Sequence, residues 1–341
     1  MIDKKKIEVF SLFFNNLLTF IFSFFHFFIF FQYLCGVVKS KILLISDMCG
    51  YGKVAAACQM PIFSYMGHDV FNLPTMLISN TFPYGKFAIL ESTDYIQEAM
   101  SKWNELGFSF DAIVTGFMAS ERQAQLVAHY CREQASLGTK IYVDPVMGDY
   151  GKMYAGANEG TIRCMREMLS AAHLCFPNYT EACLLTGVEY RHEGITWDEA
   201  KGLINKLRRI GSMSVLVTSC IVDGKPAVIG YNHFSAEYLL LPYEVIYTTN
   251  TPSLTGVSVP RETGEPKGVQ RPLKRGGASP VQFPGTGDIF SSIIVGRLQD
   301  GDTLQHATQT SMDILRHWID LNKDNEDKNR GIPVERHLAD L

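Results

Sequence analysis

The sequence of 341 residues has no excess of positive charge and no paired cysteine motif. Its formal net charge is −4 at pH 7, which argues against nucleic acid as the main partner. The eight cysteines form no C-x-x-C pair, and no two histidines have metal-ligand spacing. Most of the cysteines lie in apolar stretches, where a thiol behaves as a small hydrophobe. We therefore expect reduced, buried thiols and a cytoplasmic protein.

Charged residues are also missing from one long segment near the N-terminus. Residues 9–38 contain no Asp, Glu, Lys or Arg, and phenylalanine dominates. The run is long enough to span a bilayer and follows three lysines, but no small-residue cleavage site comes after it. Three interpretations stay open: a membrane anchor within residues 7–38, an uncleaved export signal, or an extension outside the working protein. We favour the third, and assign residues 1–40 to an extension, because the rest of the chain has the character of a cytoplasmic protein.

From Lys41 onward, apolar strand patterns alternate with amphipathic helix patterns. The pattern predicts strands at residues 41–46, 68–73, 111–116, 140–144, 173–176 and 214–219. It predicts helices at residues 92–106, 120–137, 161–172, 180–186 and 198–210. In the second helix, Ser120 and Gln123 have the spacing of a capping box. The alternation predicts an α/β domain over residues 41–341, with a mostly parallel sheet and helices on both faces.

One segment interrupts this alternation. Residues 251–280 are rich in Gly and Pro, carry five basic and two acidic residues, and show neither helical nor strand periodicity. A loop of this length inside a compact domain is unusual, so we interpret the segment as an insertion. The alternative is a basic lid over the ligand.

Polar residues follow several predicted strands. In open α/β sheets, ligands bind outside the carboxyl ends of the strands. Asp47, Asp144, Asn178 and Thr218 come at or just after such strand ends. A GTGD motif (residues 285–288) precedes an apolar run with helical spacing, from Ile289 to Leu298, which predicts a further helix. We therefore expect these groups to gather along one edge of the sheet.

The GTGD motif has the composition of an anion-binding loop. Its glycines let backbone N–H groups turn toward an anion, and the following helix adds a partial positive charge, which suits phosphate. A carboxylate held beside that phosphate is useful if it takes a proton from an attacking hydroxyl. The alternative is that Asp288 only caps the helix, and these four residues favour neither interpretation.

Two further acidic residues are candidate metal ligands. Asn178 and Glu181 have the spacing of a capping box, and spacing alone favours that structural role. The alternative is that Glu181 holds Mg²⁺ through water, since Mg²⁺ prefers carboxylates and retains part of its hydration shell. Asp144 ends a buried strand just before Pro145, which is an awkward place for an unpaired carboxylate.

The GYGK segment (residues 50–53) is similar to two nucleotide-binding motifs and satisfies neither. It is not a Walker A loop, because Val54 stands where Ser or Thr should bind Mg²⁺. Its glycines match the dinucleotide pattern G-x-G-x-x-A. In that pattern an acidic residue is expected at the end of the second strand. Asp69 lies at about the expected distance, but it precedes the second strand.

Together, the motifs occur in one order along the chain: ISDMCGYGKVA, LPTMLISNT, FDAIVTGFMAS, YVDPVMGDYGKMY, PNYTEACLLTG, VLVTS and FPGTGDIFSS. This set resembles the pyridoxal (pyridoxine) kinases of the ribokinase-like superfamily, over residues 41–341 except 251–280. GTGD is shared by the superfamily, whereas VDPVMGD with PN-x-x-E points more narrowly to the vitamin kinases. The resemblance implies a ribokinase-like, doubly wound α/β fold.

The resemblance also implies an activity. It implies ATP-dependent phosphorylation of the 5-hydroxymethyl group of pyridoxal, pyridoxine or pyridoxamine, with Mg²⁺ as cofactor, K⁺ as a candidate second ion, and a homodimer. A hydroxymethylpyrimidine kinase, or another small-molecule kinase of the superfamily, is the alternative within the enzyme class. The alternative from another class is a membrane-tethered binding protein without turnover.

The site residues of the family carry over by position in three groups. Around the transferred phosphoryl group, the resemblance assigns the base Asp288 and the anion-hole residues Gly285, Thr286 and Gly287. To the metal and phosphate network it assigns Asp144, Asn178, Glu181 and Thr218, with Asp144 and Glu181 holding Mg²⁺ through water. To the vitamin ring it assigns Ser46, Asp47, Thr75 and Phe117, the last of which is Tyr in many relatives. Thr81 and Phe82 replace the His-Thr pair of many relatives.

Overall fold

The central element is a sheet whose strands alternate with helices along the chain. The structure, a computed structural model, describes residues 39–154, 157–248 and 280–341. The strands in this part of the chain are β1 (Lys41–Tyr51), β2 (Asp69–Asn80), β3 (Ile89–Glu91), β4 (Ala112–Thr115), β5 (Lys140–Val143), β6 (Gly148–Asp149), β7 (Lys152–Met153), β8 (Leu174–Cys175), β9 (Ser214–Val222), β10 (Lys225–Asn232) and β11 (Glu237–Pro242). The helices are α1 (Ala56–Tyr65), α2 (Thr93–Leu106), α3 (Glu121–Ser136), α4 (Glu159–Leu169), α5 (Tyr179–Thr186), α6 (Trp197–Ile210), α7 (Thr286–Gln299) and α8 (Leu304–Asn322).

Nine of the strands form one sheet in the order β11-β10-β9-β8-β5-β4-β1-β2-β3. The six strands from β9 to β2 are parallel to their neighbours. Antiparallel strands close both edges, and β6 and β7 form a separate hairpin. The strand order reverses beside β1, which makes the sheet doubly wound and places a ligand crevice at that reversal. The predicted fold class is confirmed.

The core lies on both faces of the sheet. Along β1, Ile42 and Leu44 pack into the layer formed with α1, α7 and α8. Leu43 and Ile45 point the other way, into the layer formed with α2 to α6. All four side chains are fully buried, and each contributes about 1.5–3 kcal/mol to folding. Burial on both faces explains why the strand sequence is a continuous apolar run.

Strands β1 and β2 are longer than their sequence patterns predict. β1 continues past Ser46 because its extension pairs with the extension of β2, as in the pair Tyr51↔Asn80. The prediction that Pro74 ends the second strand is wrong. Pro74 lies inside β2, where the β1–β2 register shifts, and an irregularity of this kind tolerates the missing N–H.

The predicted capping box of α3 is only half present. Ser120 Oγ accepts a hydrogen bond from the backbone N–H of Gln123 at 3.2 Å, as predicted. Gln123 Oε1, however, accepts from the N–H of Ala119 at 2.8 Å instead of returning to Ser120. Gln123 is fully buried and also donates to Thr75 O, so tertiary contacts decide its orientation.

Other predictions concern burial and the chain segments outside the sheet. The seven cysteines within the described residues are free and buried, as predicted.

None of the helices in residues 39–154, 157–248 and 280–341 is both long enough and apolar enough to cross a bilayer. The hypotheses on residues 1–38 and 251–279 lie outside the described residues.

Residues 39–341 should fold without the preceding segment. Ser40–Leu341 forms one compact unit, and the core begins at its first strand. We expect this shortened chain to give a single cooperative thermal transition, measured by circular dichroism. Aggregation of the shortened chain, with a normal transition for the full chain in detergent, would show that the segment is needed for folding.

Candidate active site

The GTGD motif forms the beginning of α7, at the carboxyl edge of the sheet. Gly285 is the N-cap residue with φ 85°, and Thr286 and Gly287 open the helix. A Cβ at Gly285 would collide with the carbonyl oxygen of Lys53, so both the backbone angle and the contact require glycine. N–H groups in the first turn of a helix have no partner within the helix, which leaves them available to an anion.

Asp288 lies at the third position of α7 and does not cap it. Its Oδ2 accepts a hydrogen bond from the backbone N–H of Ala55 at 2.8 Å, and the N-cap receives no side-chain hydrogen bond. Burial raises the pKa of Asp288 to about 7, against the Ala55 hydrogen bond, with the charge of Asp47 adding to the rise. A carboxylate with this pKa is suited to accept a proton near neutral pH.

Asp144 directly follows β5 and is almost completely buried, at 9% exposure. A Cβ on Gly287 would lie 4.0 Å from Asp144 Oδ2, so this carboxylate is beside the GTGD turn. Burial, and then the negative charges of Glu181 and Asp288, raise the pKa of Asp144 well above its ordinary range. The structure therefore brings three predicted acidic residues together.

Asn178 and Glu181 form the capping box that their spacing predicts. Asn178 Oδ1 accepts from the Glu181 N–H at 3.0 Å, and Glu181 Oε2 accepts from the Asn178 N–H at 2.8 Å. Glu181 Oε1 also accepts from the N–H of Met147 at 3.0 Å, which ties α5 to the loop after β5. Burial raises the pKa of Glu181 to about 8, against these backbone hydrogen bonds. The structural role is thus present. Oε1 also accepts from the N–H of Gly148 at 3.5 Å, so it is Oε2 that keeps a lone pair for water.

Thr218 lies in β9, next to this box. Its N–H donates to Pro177 O at 3.0 Å, and it forms a parallel bridge with Asn178. It is therefore at the same edge of the sheet as the acidic residues.

The predicted ring-binding residues fall into two pairs. Ser46 and Asp47 are consecutive residues of β1 with 2% and 8% exposure, and burial raises the pKa of Asp47 to about 6. By distance and angle the Ser46 hydroxyl has no hydrogen-bond partner among the described residues, although its closeness lowers the pKa of Asp47 against the larger effect of burial. Thr75 Oγ1 donates to Phe117 O at 2.8 Å, which fixes the second pair to each other. An unpartnered buried hydroxyl beside a buried acid is consistent with a polar ligand group at this position.

Several site residues carry no signal that sequence reasoning recognised. Ala55 has φ 48° and ψ −138°, and this strained geometry directs its N–H at Asp288. The N–H of Lys53 donates to Arg330 O at 2.6 Å, and Gly331 has φ 79° with no room for a Cβ, which would lie 2.6 Å from Lys53 O. For the loop that contains Lys53 and Ala55, the glycines of GYGK were the available sequence signal. The segment around Gly331 has no periodic pattern.

The acidic residues fit a sparsely coordinated cation. In the part of the chain that the structure describes, no three His, Cys, Asp or Glu side chains form a complete metal cage. Mg²⁺ is commonly bound by one or two carboxylates with water and substrate phosphates completing its shell. Asp144 and Glu181, whose pKa values rise through burial, provide such a partial set.

Comparisons with known proteins identify relatives of this chain. The family model of the phosphomethylpyrimidine kinases matches residues 85–252. A solved structure from Bacteroides thetaiotaomicron, assigned to the phosphomethylpyrimidine kinases and crystallised with pyridoxal, is 30% identical with a TM-score of 0.73, covering 88% of this chain and 94% of that one.

Two pyridoxal kinases are more distant relatives. Pyridoxal kinase PdxY of Deinococcus radiodurans is 25% identical over 298 residues, which is 82% of this chain and 86% of that protein. Pyridoxal kinase of Leishmania donovani, solved with ADP and pyridoxamine, shares the fold at 19% identity and a TM-score of 0.67, covering 88% and 94% of the two chains. The chain therefore belongs to the phosphomethylpyrimidine kinase family, in the branch of the ribokinase-like superfamily that contains the pyridoxal kinases.

Proposed function

We propose that the chain is a pyridoxal kinase, which transfers the γ-phosphoryl group of ATP to the 5-hydroxymethyl group of a B6 vitamer. The observation that carries this proposal is Asp288, a partly buried carboxylate whose pKa is raised to about 7 by loss of solvation, in a glycine turn at the start of α7. A carboxylate in this position repels a phosphate, and that unfavourable interaction is explained if the carboxylate accepts a proton from the attacking hydroxyl. The relatives named as pyridoxal kinases support the same reaction.

The chain supplies two elements for the transfer. Asp288 accepts the proton of the hydroxymethyl group through the carboxylate oxygen that Ala55 does not occupy. The N–H groups that follow Gly285 donate to the oxygens of the transferring phosphoryl group, and the α7 dipole adds to the field that stabilises the developing charge. Asn178 and Thr218 border the same edge and would contact the remaining phosphates.

A divalent metal cofactor fits the acidic pair beside this turn. We assign Mg²⁺ to Asp144 and Glu181, bound through water, because Glu181 already accepts backbone hydrogen bonds at both oxygens. When bound, the ion neutralises phosphate charge. K⁺ as a second ion is a further proposal, tested by replacing K⁺ with Na⁺ in the assay.

The vitamin ring is assigned to the other side of Asp288. Ser46 and Asp47 border this space from β1, and Thr75 and Phe117 border it from β2 and from the loop after β4. The Ser46 hydroxyl is the group we expect to bond a ring substituent, since it is buried and has no partner among the described residues. A hydroxymethylpyrimidine kinase is the second candidate, because the matching family model carries that description.

Assembly and cellular location are further parts of the proposal. We propose a homodimer, which sedimentation measurements would test. The buried free thiols support a cytoplasmic location. A membrane-tethered binding protein without turnover is the competing hypothesis, and a pure binder has no need of the base.

Asp288→Asn should keep the fold and lose turnover. The amide oxygen can still accept from Ala55, but it cannot take the substrate proton, and loss of a general base typically costs about 10²–10⁴ in kcat. Asp69→Asn is the matched control and should retain normal kcat, because Asp69 is the first residue of β2 and lies away from the carboxyl ends of the strands. A kcat close to that of the unmodified chain would refute the role of Asp288 as the base.

The pH profile should report the same carboxylate. Because burial raises the pKa of Asp288 to about 7, the free enzyme is largely protonated at this group below that pH and loses its base. We expect kcat/KM to fall about tenfold per pH unit below pH 6 and to level off above pH 8. The residual activity of Asp288→Asn should lack this acid limb, and an identical limb in the variant would assign it to another group.

B6 vitamers should be preferred over a pyrimidine. We expect kcat/KM for pyridoxal, pyridoxine or pyridoxamine to exceed that for hydroxymethylpyrimidine at least about tenfold, which is about 1.4 kcal/mol of transition-state binding. ADP release with ribose as a third substrate controls for hydrolysis. A pyrimidine preference would overturn the substrate assignment and leave the kinase assignment intact.

A further inference from the structure

Two segments meet outside the sheet, next to the vitamin side of the site. The first, here called the flap, is residues 81–88 between β2 and β3. The second, here called the tail, is residues 325–341 at the end of the chain. The flap continues from the β1–β2 extension, whose buried residues Cys49, Met76 and Ile78 pack against Phe117, one of the residues assigned above to the vitamin ring.

The flap is joined to the tail by two side-chain hydrogen bonds. Tyr84 Oη donates to Asp327 Oδ2 at 2.5 Å, and Thr81 Oγ1 donates to Asn329 O at 2.7 Å. Other side-chain hydrogen bonds of the flap within the described residues stay inside the β2–β3 hairpin. The Tyr84 ring also lies 5.9 Å from the ring of Tyr51 in β1.

The tail itself is firmly held. Ile332 and Val334 are fully buried with the residues of α1 and α7 that flank the active site. Near the chain end, Trp318 Nε1 donates to Asp340 Oδ2 at 2.8 Å. Lys53 completes the connection, because its N–H donates to Arg330 O and its side chain pairs with Glu335. The flap is thus bonded to the tail, and the tail is held against the loop at Lys53. Ala55 of the same loop donates the hydrogen bond to Asp288.

We propose that the tail is a latch for the flap, and that Tyr84 and Asp327 are positioning residues for vitamer binding. The inference rests on the proposed function and adds to it a part of the chain far from the reacting atoms. The Tyr84–Asp327 bond holds the flap over the vitamin side, while ATP binds on the other side of Asp288. Breaking this bond lowers the fraction of enzyme with the flap in place, and the apparent affinity for the vitamer falls by that fraction.

Four variants test the latch in kinetics. Asp327→Ala and Tyr84→Phe each remove the bond, whereas Asp327→Asn keeps an oxygen that accepts from Tyr84. Asp324→Ala, an exposed acid three residues earlier, is the matched control. We expect KM for pyridoxal to rise about three- to tenfold in Asp327→Ala and Tyr84→Phe, which corresponds to the net free energy of one hydrogen bond. KM for ATP and the thermal midpoint should be unchanged, and Asp327→Asn and Asp324→Ala should behave as the unmodified chain.

Hydrogen exchange tests the same bond without relying on activity. The N–H of Ser79 donates to Ala88 O, and the N–H of Gly85 donates to Phe82 O, so both report on the flap. Their exchange should accelerate in Asp327→Ala and not in Asp327→Asn. Unchanged exchange, or an equal rise in KM for ATP, would overturn the latch. If the unmodified chain phosphorylates no vitamer, the proposed function fails, while exchange still decides whether the tail holds the flap.

Discussion

The carbonyl oxygen of Lys53 is the contact on which the geometry of the site depends. Gly285, from the start of α7, and Gly331, from the end of the chain, both approach it so closely that neither position accepts a Cβ. Two residues further on, Ala55 donates its N–H to Asp288. The orientation of the base is therefore set by backbone packing between three segments. Such contacts restrict the motion of the Asp288 carboxylate. A proton acceptor works best when it is held in a fixed position relative to the substrate hydroxyl.

Acidic side chains are concentrated at the same edge of the sheet. Asp47, Asp144, Glu181 and Asp288 are all buried there or nearly so, and burial is the largest cause of the raised pKa at each. Such a group of acids costs stability, and its presence in one place indicates a functional demand. The α7 N-terminus contributes only about half a positive charge, which does not balance a triphosphate. A nucleotide would thus have to enter this edge together with a cation.

The sequence predicts those features that depend on local pattern. Apolar runs and their polar ends place the strands and bring Asp144, Asn178 and Thr218 to one edge, because parallel strands end together. The choice between base and cap at Asp288 could not be made locally, since it depends on Ala55, which is 233 residues away.

Two other features were also hidden from the sequence pattern. The extension of β1 depends on its partner β2, and α1 is obscured by Pro61 within it. The tail consists of short 3₁₀ turns, whose residues repeat at no period that a sequence pattern can detect.

The contact between Lys53 and Glu335 joins residues 282 positions apart. At a translation rate of about 5–20 residues per second, the later residue is added roughly 15–55 s after the earlier one. The loop around Lys53 must wait for about that interval, because Arg330 and Gly331 are its packing partners. A nascent chain can therefore form most of the sheet while its catalytic centre is still incomplete. Catalytic competence would then arrive only after residues 330–335 have been synthesised, long after the residues that form the sheet.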